Sequence, residues 1–266
     1  MSKNLELGSL HSSFFEAVSK APRRLLLVDY EGVLAPTSRG SSPFPEICDR
    51  LQCVLKDRAT RLVVISGRPA DEVRLALGMN LAPEIWGGDG LERLDCNGHY
   101  RCTEVDIPRE ALEALEESEI ALRRDGLGKF LEVNLASVSV HWRGLSDLDD
   151  ILDVRAKAHR VFRAIALRLD SLRFLEFQGG AELRLSGTTK TDVVRRLLSS
   201  VTVETPVAYV ESDRTDSEIF QVLNGRNFTI VVRVSPHVAG MQPHVWPPDE
   251  LTRFLNDWIR NTQSSF

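Results

Sequence analysis

Two carboxylates one residue apart close an apolar run: LLLVDYEG sets Asp29 and Glu31 at the end of a strand-like stretch, just before Gly32. Other segments bring comparable groups to element ends. RLVVI is followed by Ser66, Gly67 and Arg68, Lys190 opens the helical pattern KTDVVRRLL, and PVAYV is followed by Glu211, Ser212, Asp213 and Asp216. A carboxylate can attack phosphorus, and a hydroxyl on a backbone turn can hold phosphate oxygens. An ammonium can neutralise developing charge, and acids can bind a divalent cation. Those are the parts phosphoryl transfer requires. Singly, each has a structural use: Asp29 as a polar strand end, Ser66 as a cap before Pro69, Lys190 as a solvated lysine. The acids of 211–218 would also suit a helix N-terminus, where negative charge is stabilised. All four groups in this order favour the chemical reading.

The elements that must position them alternate along the chain. LLLVD, RLVVIS and EIWGG read as strands, separated by the helical patterns FPEICDRLQCVLKD and PADEVRLALG. The rhythm returns with helix TDVVRRLLSS, strand PVAYVES, helix TDSEIFQVL, strand FTIVVRV and the closing amphipathic helix PDELTRFLNDWIRN. This alternation predicts an α/β fold, a Rossmann-like parallel sheet flanked by helices, with ligands bound beyond the carboxyl ends of the strands. The middle differs. Two long helical patterns, IPREALEALEESEIALRRDG and SDLDDILDVRAKAHRVFRAIALRLDS, alternate with strand candidates KFLEVN, SVSVHWRG, LRFLEF and AELRLS. The expected organisation is a core domain of residues 1–103 and 187–266, split by an inserted α+β domain over 104–186.

Composition narrows the partners. The 266 residues are 42% hydrophobic and 27% charged, with a net charge of −5, an ordinary globular balance without the basic face that captures nucleic acid or an acidic membrane. A small molecule is the expected partner. Cys48, Cys53, Cys96 and Cys102 lack CxxC spacing and paired histidines, so neither a zinc site nor a disulfide framework is expected. Reduced thiols, no signal-like apolar stretch and no membrane-length run lead to a cytoplasmic expectation.

Four segments, DYEGVLAP, VVISGRP, GTTKTDVV and VAYVESDRTDSEIF, resemble the four motifs of the haloacid dehalogenase (HAD) superfamily, specifically its trehalose-6-phosphate phosphatase branch. GGDGLERL, SVSVHWRG and AELRL are similar to further branch segments, so the resemblance covers about residues 24–232. It implies a HAD-like core with the insertion as a mobile cap. It also implies hydrolysis of trehalose 6-phosphate to trehalose and phosphate. Asp29 would attack phosphorus and become an aspartyl-phosphate, and Glu31 would protonate the leaving sugar oxygen and then activate water. Ser66 and Gly67 would hold the phosphoryl group while Arg68 braces their loop. Lys190 would neutralise the nucleophile and the phosphoryl charge. Mg2+ would bind the Asp29 carboxylate, the Glu31 carbonyl and an acid of the segment holding Ser212, Asp213 and Asp216. His141, Arg143, Glu182 and Arg184 are cap candidates for contacting sugar. His141 packing on a strand face, and Glu182 with Arg184 forming a solvated pair, are equally weighted alternatives. A trehalose-phosphate synthase is the implied protein partner.

The sequence departs from the branch pattern at the active centre. Glu31 replaces an Asp, Val33 a Thr and Asp89 a His; Thr191 follows the lysine in place of Gly, and Glu211 and Ser212 replace a Gly-Asp pair. Glu31 keeps the functional group but shifts it by a methylene, and misplacement of about 1 Å costs on the order of 10²-fold in rate. Ser212 removes a metal-binding carboxylate. Three readings follow: an active Mg2+-dependent phosphatase, a pseudophosphatase that binds a sugar phosphate or a synthase without turnover, and a phosphoacceptor regulatory domain. The large insertion disfavours the third, which needs only one small domain.

Overall fold

A computed structural model describes residues 12–36, 41–102, 107–142, 144–177, 179–212, 217–234 and 249–263. Among them the chain divides into two compact units, residues 1–102 with 190–266, and residues 103–189.

The first unit is built on a seven-stranded sheet. In chain order its strands are β1 (Arg24–Asp29), β2 (Thr60–Ile65), β3 (Glu84–Gly87), β4 (Glu92–Leu94), β5 (Tyr100–Cys102), β10 (Val207–Glu211) and β11 (Thr229–Arg233). Their spatial order is β11-β10-β1-β2-β3-β4-β5; the first five run parallel, and β4 and β5 extend the sheet antiparallel. The three-residue strands β4 and β5 are an addition to the expected parallel sheet, and they are too short to show a period in sequence.

Helices cover both faces, as side-chain alternation along the strands dictates. Leu26, Val28 and Tyr30 face one core with helical residues 12–20 (α1), α2 (Pro45–Val54), α3 (Ala70–Leu77) and α8 (Asp249–Gln263). Leu25, Leu27, Ile65 and Tyr209 face the other core with α6 (Lys190–Leu198) and α7 (Ser217–Leu223). The aromatic pair Phe14 and Phe15 of α1, absent from the expected elements, packs with Phe254 and Trp258. Local signals set the helix ends: Pro45 opens α2 where its missing N–H costs nothing, and Gly78 closes α3 in the left-handed conformation. β1 is the switch point of the sheet, since the chain leaves it toward β2 on one side and returns beside it as β10. The crevice at such a point is where parallel α/β sheets bind ligands.

The second unit has a four-stranded antiparallel sheet, order β6-β7-β9-β8, made of Leu131–Asn134, Ser137–His141, Gly180–Leu185 and Leu172–Phe177. Its helices are α4 (Arg109–Arg124) and α5 (Leu148–Ala166). Asp147 caps α5, its carboxylate accepting from the backbone N–H groups of Asp149 and Asp150 at 2.8 and 3.1 Å. Val138, Val140, Ala181, Leu183 and Leu185 are buried with Leu115 and Leu122 of α4 and Val154, Phe162 and Ile165 of α5. Glu132, Ser139, Glu182 and Arg184 alternate with them and share the other face.

Candidate active site

Asp29 is the last residue of β1 and is 1% exposed. By alternation it stands on the same face as Leu25 and Leu27, the face that α6 covers. Lys190 is the first residue of α6, so packing that helix on Leu25 and Leu27 brings its ammonium over the strand end. Nζ donates to Asp29 Oδ2 at 2.8 Å. The second Asp29 oxygen, Oδ1, accepts from Tyr209 Oη at 2.8 Å. Burial pushes the Asp29 carboxyl above its ordinary pKa; Lys190 and Tyr209 oppose the shift, and the Asp89 charge adds to it. Burial works against the charge on Lys190 too, but Asp29, Glu31 and Asp89 outweigh it and hold its pKa above the ordinary value.

Glu31 sits in the turn after β1, where Gly32 adopts φ 76°, and the turn closes with a Glu31–Ala35 bridge. Its Oε1 accepts from Ser66 Oγ at 2.6 Å and lies 3.5 Å from Arg68 Nε. Burial raises its pKa, while Lys190, Ser66 and Arg68 act in the opposite direction. Such a carboxyl is better able to hold a proton near neutrality than an exposed one.

Ser66 is fully buried just beyond β2, and its Oγ also accepts from the backbone N–H of Arg68 at 3.0 Å. Gly67 is half-buried between them. Arg68 braces the turn: its guanidinium stacks over the Tyr30 ring at 5.1 Å, and its carbonyl accepts from Gly88 N–H at 2.9 Å. A Cβ on Gly87 would meet Ala70 N at 2.4 Å and Arg68 O at 2.7 Å, so glycine there lets β3 approach the Ser66–Ala70 turn. Glu92 fixes the other side of that turn, accepting from the N–H of Ala70 at 2.7 Å and from Tyr100 Oη at 3.0 Å.

The structure thus brings Asp29, Glu31, Ser66, Gly67, Arg68, Lys190 and Ser212 to one end of the first unit's sheet. Ser212 Oγ donates to the Glu31 carbonyl at 3.1 Å. Asp213 and Asp216 lie outside the described residues, and so does Arg143. The described donors that would suit Mg2+ are the Asp29 carboxylate, the Glu31 carbonyl and Ser212 Oγ. All are hard oxygens, the class Mg2+ takes together with phosphate and water, so the set fits with one carboxylate. No group of three or more His, Cys, Asp or Glu side chains suited to a metal occurs among the described residues. Glu211, beside Ser212, is fully buried and holds Arg233 Nε at 3.0 Å.

In the second unit, His141 Nε2 lies 3.1 Å from Glu132 Oε2 and its ring is 5.5 Å from that of Phe177. Glu182 accepts from Ser139 Oγ at 3.3 Å and lies 3.7 Å from Arg184 Nη1, while Arg184 also donates to the Thr188 carbonyl. His141, Glu182 and Arg184 therefore share the sheet face opposite α4 and α5, each already engaged with a neighbour of that unit.

Sequence reasoning singled out neither Tyr209 nor the environment of Asp89. Tyr209 is one apolar-run residue among PVAYV, and only the Leu27–Tyr209 register reveals its bond to Asp29. Asp89 carries a visible signal, an acid between two glycines. Its φ of 53° places it in the left-handed region, where Asp is better tolerated than most residues.

No protein-family model matches the chain. It is 26% identical over 247 residues to the bifunctional trehalose-6-phosphate synthase/phosphatase of Thermoproteus tenax, covering 89% of this chain and 32% of that protein. It is also 26% identical over 271 residues to trehalose-phosphate phosphatase B of Arabidopsis thaliana, covering 92% and 69%. The chain thus spans about a third of the length of the first relative. The C-terminal domain of C. albicans trehalose-6-phosphate phosphatase superposes with a TM-score of 0.73 at 16% identity, over 94% of this chain and 96% of that one. The C-terminal domain of the Candida albicans trehalose synthase regulatory protein gives 0.67 at 11%, over 93% and 97%. No helix among the described residues is long and apolar enough to cross a membrane. The chain therefore has the α/β fold of the HAD-type trehalose-6-phosphate phosphatases and has trehalose-phosphate phosphatases among its relatives in sequence.

Proposed function

We propose that this chain is a phosphoric monoester hydrolase that acts on a sugar phosphate, converting trehalose 6-phosphate to trehalose and phosphate. The observation that carries the reading is the buried Asp29 carboxylate at the sheet switch point, held 2.8 Å from Lys190 Nζ, with the Glu31 carboxyl two residues on. The sugar identity rests on the relatives. An Asp29 oxygen attacks phosphorus and the bond from phosphorus to the sugar oxygen breaks, while Glu31 gives its proton to that oxygen. Glu31, now a carboxylate, takes a proton from water as the water attacks the aspartyl-phosphate, releasing phosphate and restoring Asp29. Lys190 balances the Asp29 charge in both steps. Ser66 Oγ and the backbone around Gly67 receive phosphoryl oxygens, Ser66 exchanging its bond to Glu31 for one to phosphate. Mg2+ held by Asp29, the Glu31 carbonyl and the Ser212 segment, with Asp213 and Asp216 as its further acids, would supply charge neutralisation at the phosphate. The second unit serves as the cap, with His141, Arg143, Glu182 and Arg184 as its sugar-facing candidates.

The test is phosphate release from a panel of sugar phosphates with and without Mg2+. Trehalose 6-phosphate should be hydrolysed, with loss of activity in Asp29→Asn and in chelator. Equal release by Asp29→Asn would discard the mechanism.

A second reading has its own observation: Ser212 brings a hydroxyl, not a carboxylate, to the Glu31 carbonyl. On this reading the chain binds a sugar phosphate or a synthase partner without turnover, and the similarity to the trehalose synthase regulatory protein supports it. Trehalose 6-phosphate would then bind, measured calorimetrically, with no phosphate released. The double variant E31D/S212D would acquire activity.

A further inference from the structure

Tyr209 is fully buried in the middle of β10, its ring in the core that α6 and α7 cover. A phenylalanine would fill that space equally well. The hydroxyl instead reaches the one atom of the proposed nucleophile that Lys190 leaves to another donor: Asp29 Oδ2 accepts from Lys190 and Oδ1 from Tyr209, both at 2.8 Å. The carboxylate torsion of an aspartate is broad, so a single donor leaves its plane poorly set. Two donors from different elements, one on α6 and one on β10, fix it. The strand that carries Tyr209 is held on both sides, β10 lying between β1 and β11. The donor is therefore as rigid as the sheet.

We infer that Tyr209 is a positioning residue for the Asp29 nucleophile, orienting its carboxylate for in-line attack through the bond to Oδ1. The inference rests on the phosphatase reading of the site. In the reaction Tyr209 transfers no proton. One Asp29 oxygen becomes the bridging oxygen to phosphorus and the other the acyl carbonyl, while the phenol O–H remains a donor in the free and phosphorylated states. The role is thus separate from that of Glu31, which moves the proton.

Tyr209→Phe deletes only the hydroxyl and keeps the packing. With trehalose 6-phosphate and Mg2+, its kcat should fall about tenfold, the equivalent of one modest hydrogen bond, while KM stays within about twofold. A packing role would leave kcat unchanged. A second measurement is independent of turnover: beryllium fluoride with Mg2+, an acyl-phosphate mimic, should raise the thermal midpoint of the wild type, and Tyr209→Phe should lose at least half of that rise. Wild-type hydrolysis with an unchanged kcat in the variant overturns the role of Tyr209 and leaves the phosphatase reading standing. Absence of hydrolysis in the wild type overturns the phosphatase reading and with it the role in attack; a beryllium fluoride response that Tyr209→Phe weakens then keeps only the orientation of the Asp29 carboxylate by Tyr209. Equal responses in the two proteins, or none in either, overturn the role.

Discussion

Glu84 and Asp29 are both buried carboxylates with cationic partners in the same seven-stranded sheet, and their acidities move in opposite directions. Glu84 stands at the start of β3. It accepts from Arg61 at 2.8 and 3.0 Å, from Arg93 at 2.8 Å and from Trp86 Nε1 at 2.8 Å. Burial opposes its charge, but these donors outweigh burial and its pKa falls below the ordinary value. Asp29 stands at the end of β1 with one ammonium and one phenol, in a site that also holds Glu31 and Asp89. There burial wins and the pKa rises. A saturated carboxylate ties strands together and is a poor nucleophile. A desolvated one sharing its lysine with two other acids keeps electron density to give, and this is the environment expected of a reactive group.

The two carboxylates should part first at Asp29, the proposed nucleophile. Asp29→Asn should abolish phosphate release, a loss on the order of 10³-fold or more in kcat, whereas Glu84→Gln should leave kcat within about twofold; steady-state kinetics on both decides it. The cations give the next contrast. Lys190→Met should cost about 10²- to 10³-fold in kcat, and Arg93→Met should alter only the thermal midpoint. On stability the order reverses. Glu84→Gln should destabilise by about 2 kcal/mol, less than a fully buried pair, because Arg61 and Arg93 are 35% and 34% exposed and can rehydrate. Denaturant unfolding would measure this.

The smallest effect is in pH. A depressed carboxylate contributes stability at pH above its unfolded value and loses it as pH falls through the folded one. The Glu84 contribution should therefore be complete above the ordinary 4.5 and decline below it. Asp29, raised above its ordinary 3.8, acts with the opposite sign: its cost is absent below 3.8, grows as pH rises from there and is complete above the folded value. Thermal midpoints should fall less steeply below pH about 4.5 in Glu84→Gln than in the wild type, and Asp29→Asn should lack the compensating gain that the wild type makes as pH falls toward 3.8. Parallel curves for the three proteins would remove the distinction between the two sites.

Much of this arrangement follows from local sequence. The unbroken apolar run LLLV and the helical period of KTDVVRRLL set Asp29 at a strand end and Lys190 at a helix start, because hydrophobic faces must be buried whatever the partner. The same reasoning sets Ser66 beyond RLVVI and separates the middle of the chain by its change of rhythm. Short elements escape it: β4 and β5 are too brief to show a period, and α1 lies in a polar N-terminal stretch whose Phe14 and Phe15 gain meaning only against Phe254 and Trp258.

Which side chains meet is decided elsewhere. That Tyr209 reaches Asp29, that Glu31 bonds Ser66, that Arg233 neutralises Glu211 and that Ser212 caps the Glu31 carbonyl are consequences of register and strand order. Asp29 and Tyr209 are 180 residues apart, and no local pattern records their distance. The sequence alone determined the reactive groups and the ends of the elements that carry them, because burial of apolar faces acts locally. The tertiary structure alone decided each group's partner and hence its acidity, because hydrogen bonds and desolvation depend on which segments the sheet sets side by side.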